Sequence, residues 1–153
     1  MESTMSHASV TGRPLRTVAA GAFTLAVLAG IAEAILAVTS IAGTTGLDSG
    51  LLVQVAVRGA VFATALSCAW YLARGHRWAW WALLLGLGGV GLASMLVPMA
   101  AALADGASWS TVFDAGTSPL FPAVRALHIL SVLVGVTVML HPGVRASLGR
   151  VQG

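Results

Sequence analysis

The sequence predicts an all-α integral membrane protein, an up-down bundle of four transmembrane helices. Charged residues make up only 8% of the 153-residue chain, whereas a typical soluble domain carries roughly 25%. The mean hydropathy is +0.91. The apolar residues gather in four stretches, each near the ~20 residues that a helix needs to cross the hydrocarbon core of a bilayer. A chain this poor in charge cannot cover a surface that faces water.

The four spans are predicted at residues 17–43, 51–73, 78–104 and 123–140. Residues 1–16 and 141–153 are then predicted to be polar tails, and no length remains for a separate soluble domain. A cleaved secretory signal is the alternative for the first span, because Ala32-Glu33-Ala34 resembles a cleavage site. The apolar run around it is longer than the ~7–15 residues of a signal core, so a retained span is preferred.

The arginines indicate how the chain is oriented. Cytoplasmic flanks of membrane spans accumulate positive charge. The tails and the hairpin between spans two and three contain Arg13, Arg16, Arg74, Arg77, Arg145 and Arg150. The opposite connections contain Asp48, Asp105 and Asp114 and no basic residue. Both termini are therefore predicted to be cytoplasmic, and because topology accounts for the arginines, nucleic acid is not expected as a partner.

Aromatic residues surround the basic hairpin. Trp70, Tyr71, Trp78, Trp80 and Trp81 lie just before or after it. Because amphipathic rings favour the headgroup layer of a bilayer, these side chains are predicted to anchor the spans at the membrane interface.

The third span contains a glycine-rich stretch, Gly86-Leu87-Gly88-Gly89-Val90-Gly91. It has the spacing of a dinucleotide-binding motif, but that motif requires a preceding strand and the start of a helix. Inside a membrane span, glycines instead allow close approach of neighbouring helices and local bending. Together with Pro98, which removes a backbone donor, they predict an irregular third helix.

Polar residues inside the spans are the candidates for function, because a charge near the bilayer centre costs roughly 2.5–3.5 kcal/mol or more and rarely faces lipid. At about 1.5 Å per residue, Glu33 lies ~13 Å and Arg58 ~11 Å from the outer ends of their spans. Arg125 is expected near the outer surface, and His128 roughly a turn and a half in from the outer end of span four. All four therefore fall in the outer half of the bundle.

Two interpretations of these residues are open. The first is a structural ion pair between Glu33 and Arg58 that holds spans one and two together, with Arg125 reaching to the surface. Arg125 is the main competitor of Arg58 as the partner of Glu33. The second is a polar pocket that binds a small ligand or relays protons. That pocket would be lined by Glu33, Arg58, Gln54, Ser94 and His128.

The connection between spans three and four is predicted to cover this pocket. Trp109, Val112 and Phe113 repeat at helical spacing, Ser108 can cap the start of a helix and Gly116 can end it. A short helix lying on the outer surface is one interpretation. An ordered loop is the other.

No catalytic residue, metal site or cofactor is predicted, because no nucleophile with a base and no complete ligand set can be assembled. Cys68 is the only cysteine, which excludes an internal disulfide and a cysteine-based zinc site. His76 and His141 both fall near the inner surface, but two histidines are weak evidence for a metal.

The junction from Leu72 to Ala82 (LARGHRWAWWA) resembles the second hairpin of small four-helix bacterial membrane proteins of unassigned activity. The ending Leu140 to Arg145 (LHPGVR) is similar to theirs as well. The exclusive use of arginine and the abundance of alanine resemble actinobacterial proteins, which implies a plasma membrane location. The chain also resembles small multidrug transporters, which have an acidic residue in span one. It departs from that family in its long outer loop and in Arg58.

The resulting expectation is a non-enzymatic membrane protein that binds a small ligand or a protein partner through the outer half of the bundle. The alternative is a proton- or ion-coupled transporter of small solutes that acts as a homo-oligomer, with Glu33 as the carrier group.

Overall fold

The computed structural model describes residues 3–45, 49–109, 112 and 120–148, and every regular element in these ranges is helical. In chain order the elements are α1 (Ser3–Thr45), α2 (Ser49–Ala73), α3 (Arg77–Leu83), a π-helical segment (Leu84–Gly91), α4 (Leu92–Ala104), α5 (Phe121–Leu140) and α6 (Pro142–Leu148). Helix α1 packs most extensively against α5, and also against α2 and α6. Helix α4 packs mainly against the π segment that precedes it.

Within the described ranges, four helical stretches are long and apolar enough to cross a membrane. Their most apolar windows have mean hydropathies between 1.7 and 2.1. The stretches are Pro14–Ser40, Ser49–Ala73, Arg77–Ala104 and Phe121–Leu140. They agree with the predicted spans to within about three residues.

The two tails differ from the sequence-based expectation. Helix α1 continues through the predicted N-terminal tail, starting at Ser3 and passing through Pro14. At the other end, α6 occupies most of the predicted C-terminal tail and packs against α1. Apolar residues explain the difference in the C-terminal tail, because Val144 and Leu148 are buried in the core.

Helices α2 and α4 end in the same backbone motif. After α2, the N–H groups of Gly75 and His76 donate to the carbonyls of Leu72 and Tyr71. Gly75 has φ 93°, and Gly106 after α4 has φ 88°. This arrangement provides hydrogen-bond donors for the last carbonyls of a helix. It needs one residue in the left-handed conformation, which glycine adopts without a steric penalty. The glycine therefore fixes the tight hairpin between α2 and α3.

The irregularity predicted for the third span is present as the π segment, which coincides with the glycine-rich stretch. Gly88 faces α5 so closely that an added Cβ would lie 2.9 Å from Cγ2 of Val136. Gly91 would likewise place a Cβ 3.2 Å from the carbonyl of Gly86. The glycines thus allow both the close approach to α5 and the wider π backbone.

The continuous apolar core occupies the half of the bundle that contains the residue 74–77 hairpin, called the hairpin half below. Small residues of α1 and α2 let the helices approach closely there, and larger side chains fill the remaining space. The buried members of the core include Ala19, Phe23, Ala26, Cys68, Ala69, Leu72, Leu83, Val132, Met139 and Val144. In the opposite half, called the cavity half, residues 52–61 of α2 are all exposed.

Trp80 is part of this core, so its predicted role as an interface anchor is wrong. Its side chain is only 6% exposed, whereas Trp70, Trp78 and Trp81 are each at least 50% exposed. The Trp80 indole Nε1 donates to the Met139 carbonyl at 3.1 Å. That carbonyl lies in the last turn of α5, where backbone oxygens lack partners within the helix.

Hydroxyl groups on the spans are satisfied by their own helices. Thr24, Thr39, Thr64, Ser67 and Thr137 each donate to a carbonyl four residues earlier, at 2.8 to 2.9 Å. This pairing removes the need for water or another polar partner, as is required of polar groups inside a bilayer.

We predict that Trp80→Phe destabilises the protein by roughly 1–3 kcal/mol, because the Met139 carbonyl then stays buried without a donor. Trp81→Phe is the matched control, since the neighbouring ring is exposed, and its effect should stay within about 0.5 kcal/mol. Unfolding of both variants in detergent micelles measures the difference. Equal effects would contradict the assignment of Trp80 to the core.

Candidate ligand-binding cavity

A cavity of about 620 Å³ lies in the cavity half. Its walls come from α1, α2, the π segment, α4 and α5, and Val112 lies against it from the connection between α4 and α5. Helix α4 has no extensive packing with α1, α2 or α5, which leaves this space between them. The charged and polar side chains on its walls are Glu33, Arg58, Ser94, Arg125 and His128.

Glu33 and Arg125 form the central polar interaction of this cavity. Oε1 of Glu33 accepts a hydrogen bond from Nε of Arg125 at 3.0 Å and lies 2.9 Å from Nη2. The two side chains are 14% and 23% exposed. Two charge-assisted contacts from one guanidinium edge make a strong pair, and each charge offsets the burial of the other.

The predicted ion pair between Glu33 and Arg58 is wrong. In the structure the carboxylate of Glu33 pairs with Arg125, and no ion pair within 4 Å joins it to Arg58. The depth estimate placed Glu33 and Arg58 level but assumed that consecutive helices supply the partner. Instead α1 packs more closely on α5 than on α2, and the side chain of Arg125 turns inward rather than reaching to the surface.

Arg125 also connects the pair to the segments at the mouth of the cavity. Its Nη1 donates to the Val112 carbonyl at 3.5 Å, and its Cζ lies 4.7 Å from the centre of the Phe121 ring. The Val112 N–H in turn donates to the Ser108 carbonyl at 3.1 Å, as in a helical turn. Val112 therefore lines the cavity. Residues 110–111 and 113–119, which include Phe113 and Gly116, lie outside the described residues, so the surface helix stays a prediction.

His128 lies beside the free oxygen of Glu33. Its Nδ1 is 3.9 Å from Oε2 of Glu33, and this nitrogen is buried without a hydrogen-bond partner among the described residues. Gly30 makes this position available, because a Cβ there would lie 2.8 Å from Cε1 of the ring. The imidazole is therefore held against α1 at the level of Glu33.

Arg58 is the cation on the cavity wall that no carboxylate neutralises within the described part of the chain. Glu33 is already occupied by Arg125, so with His128 counted as neutral the cavity carries one excess positive charge. Ser94 donates its hydroxyl to the Gly91 carbonyl at 2.7 Å, so towards the cavity it presents an acceptor. The main free donors are therefore those of the Arg58 guanidinium.

Gln54 does not line the cavity, although the sequence placed it in the pocket. It lies one turn before Arg58 on α2, in the stretch whose side chains are all exposed. The apolar walls were not predicted either. They include Val61, Phe62, Leu87, Met95 and Met99. Val61, Phe62 and Leu87 share a helical face with polar residues that the sequence marks, whereas the methionines do not, so periodicity gives no signal for the methionines.

The two histidines near the hairpin lie within hydrogen-bond distance of nearby backbone groups. His76 Nδ1 lies 3.2 Å from the Tyr71 carbonyl, and His141 Nδ1 accepts from the Gly143 N–H at 3.1 Å. Within the part of the chain that the structure describes, no group of three or more His, Cys, Asp or Glu side chains is placed to hold a metal.

Comparisons with protein-family models, with curated proteins and with solved structures each found no match to this chain. The function is therefore inferred from the cavity and from the charged side chains on its wall.

We predict strong energetic coupling between Glu33 and Arg125. Removal of one charge leaves the other buried and uncompensated, whereas removal of both is less costly than the sum. The cycle of Glu33→Gln, Arg125→Gln and the double variant should give a coupling free energy of about 0.5–3 kcal/mol in detergent unfolding.

A matched double-mutant cycle tests Arg58, which lines the same cavity, in place of Arg125. Glu33→Gln and Arg58→Gln should add to within about 0.5 kcal/mol, because the two groups do not pair. A larger coupling to Arg58 than to Arg125 would show that the pair is wrongly assigned.

Proposed function

We propose that the protein is a non-enzymatic membrane protein that binds a small anionic ligand in this cavity. The observation that carries the proposal is the Arg58 guanidinium, a cation on the cavity wall without an ion-pair partner among the described residues, while Glu33 is neutralised by Arg125. Arg58 lies in the exposed stretch of α2, where an unpaired charge on a membrane helix is costly, and an anionic ligand would compensate it with charge-assisted hydrogen bonds.

The apolar walls favour a ligand that is not purely ionic. Binding sites for small molecules are typically clefts of about 300–1,000 Å³ with mostly apolar walls and a few placed polar groups. The cavity has about 620 Å³ and fits this description. Phe62, Met95 and Met99 would surround the head and the first carbons of the ligand while Arg58 holds its charge.

A proton- or ion-coupled transporter acting as a homo-oligomer is the second candidate. The observation in its favour is that Nδ1 of His128 lies 3.9 Å from Oε2 of Glu33, too far for direct proton transfer but close enough for it after a small movement of either side chain. The pairing of Glu33 with Arg125 opposes it, because a carboxylate held by a guanidinium is less available as a carrier.

We expect hexanoate to raise the unfolding temperature of the protein in phosphatidylcholine nanodiscs, and hexyltrimethylammonium to leave it unchanged. Arg58→Gln should abolish the response to hexanoate, since a hydrogen bond to a charged group is lost. Arg77→Gln, which removes an arginine of the hairpin, is the matched control and should retain it. Stabilisation that survives in Arg58→Gln would contradict the proposal.

The same protein in proteoliposomes tests the second candidate. Binding without flux of hexanoate or protons across the vesicle wall supports the binding role. Proton flux that depends on Glu33 and on a hexanoate gradient would instead support the transporter.

The proposed location is the plasma membrane, with an up-down arrangement that leaves both termini in the cytoplasm. The support for it is the sequence pattern of arginines on one side and aspartates on the other. The bilayer would then be the obligatory environment of the four apolar helices.

We predict that a cysteine at His76 is protected from a membrane-impermeant thiol reagent added to intact cells, whereas one at Ser49 is labelled. Both side chains are exposed, and Cys68→Ala provides the background. His76 is preferred to Gly75 because the positive φ of Gly75 disfavours any other residue. Labelling of position 76 from outside would contradict the orientation.

A further inference from the structure

A second hollow adjoins the ligand cavity. It is an apolar groove of about 260 Å³ between α1 and α2. Three residues, Ala34, Arg58 and Phe62, line both spaces, so the groove and the cavity meet at the Arg58 side chain. The other residues of the groove are Ile31, Ile35, Val38, Thr39, Val55 and Gly59.

Arg58 supplies the available polar donors of this groove. Among the described residues that line it, the other polar side chain is Thr39, whose hydroxyl already bonds to the carbonyls of Ile35 at 2.9 Å and Leu36 at 3.0 Å. The groove therefore offers one cation, which lies between Val55 and Phe62 on α2, and mostly apolar side chains elsewhere. This combination is complementary to an anionic head attached to an apolar chain.

The groove is placed to receive its occupant from the lipid. Ile35 and Val55 on its two walls are 57% and 42% exposed, and exposed apolar side chains on spanning helices face the acyl chains of the bilayer. Gly59 widens the groove, because a Cβ added there would meet nothing within 4 Å.

We propose that the ligand is a single-chain carboxylate amphiphile, such as a fatty carboxylate, with its head on Arg58 and its chain in the groove between α1 and α2. The proposal rests on the proposed function, because the same guanidinium holds the anion. A single narrow groove accommodates one chain. An anionic phospholipid, which carries two chains, is the competing occupant.

The test compares hexanoate with myristate in phosphatidylcholine nanodiscs, with the Kd taken from the ligand-dependent shift in unfolding temperature. Gly59→Leu fills the groove, and Gly21→Leu is the matched control, since Gly21 also has open space around its Cβ and lines neither hollow. Partition of each carboxylate into the lipid is common to all variants, so it cancels between them. Val55→Trp fills the groove from the other side should Gly59→Leu fail to fold.

We expect Gly59→Leu to raise the Kd for myristate by about tenfold or more and the Kd for hexanoate by less than about twofold, because only the longer chain loses buried methylenes. Arg58→Gln should weaken both by about tenfold or more. Gly21→Leu should leave both unchanged.

Three results would overturn the inference. If Gly59→Leu and Val55→Trp affect hexanoate and myristate equally, the chain does not lie in the groove, although Arg58-dependent binding of both would leave the proposed function intact. If phosphatidylglycerol added to the nanodisc displaces myristate from the wild-type protein, the occupant is a phospholipid. If neither carboxylate binds the wild-type protein, the proposed function fails and the inference fails with it.

Discussion

The ion pair between Glu33 and Arg125 is the constraint on which the cavity half of the bundle depends. A lone carboxylate at this depth would be strongly unfavourable, so its partner determines which helices come together there. Because Arg125 supplies the partner, α5 lies against α1, His128 comes to the free oxygen of Glu33, and the Arg125 guanidinium reaches Val112 at the mouth. The same pairing leaves Arg58 without a carboxylate among the described residues.

The two halves of the bundle solve different packing problems. In the hairpin half, alanines and glycines let helices approach, and Phe23, Leu72 and Met139 fill the core completely. In the cavity half, α4 stays apart from its neighbours, and α2 exposes most of its surface. A bundle that is rigid at one end and hollow at the other is suited to hold a ligand, because the packed end fixes the positions of the cavity walls.

The sequence predicted the four apolar helices well, since apolar length is a physical requirement for crossing a bilayer. It also placed Glu33, Arg58, Ser94 and His128 in one half, and all four line the cavity. It favoured Arg58 over Arg125 as the partner of Glu33, because depth along a helix says nothing about which neighbouring helix is nearer. The sequence did not predict the groove beside Arg58 either, because the size of an empty space depends on how far two helices diverge.

Arg125 holds the carboxylate of Glu33, and this pairing leaves Arg58 without a carboxylate partner among the described residues. The most direct test of this pairing is a solid-state NMR measurement, in lipid bilayers, of dipolar coupling between the labelled carboxyl carbon of Glu33 and arginine side-chain nitrogens. The chain has only one glutamate besides Glu33, so the carbon signal can be assigned. The account predicts a strong coupling that disappears in Arg125→Lys and persists in Arg58→Lys. A coupling that disappears in Arg58→Lys would contradict it.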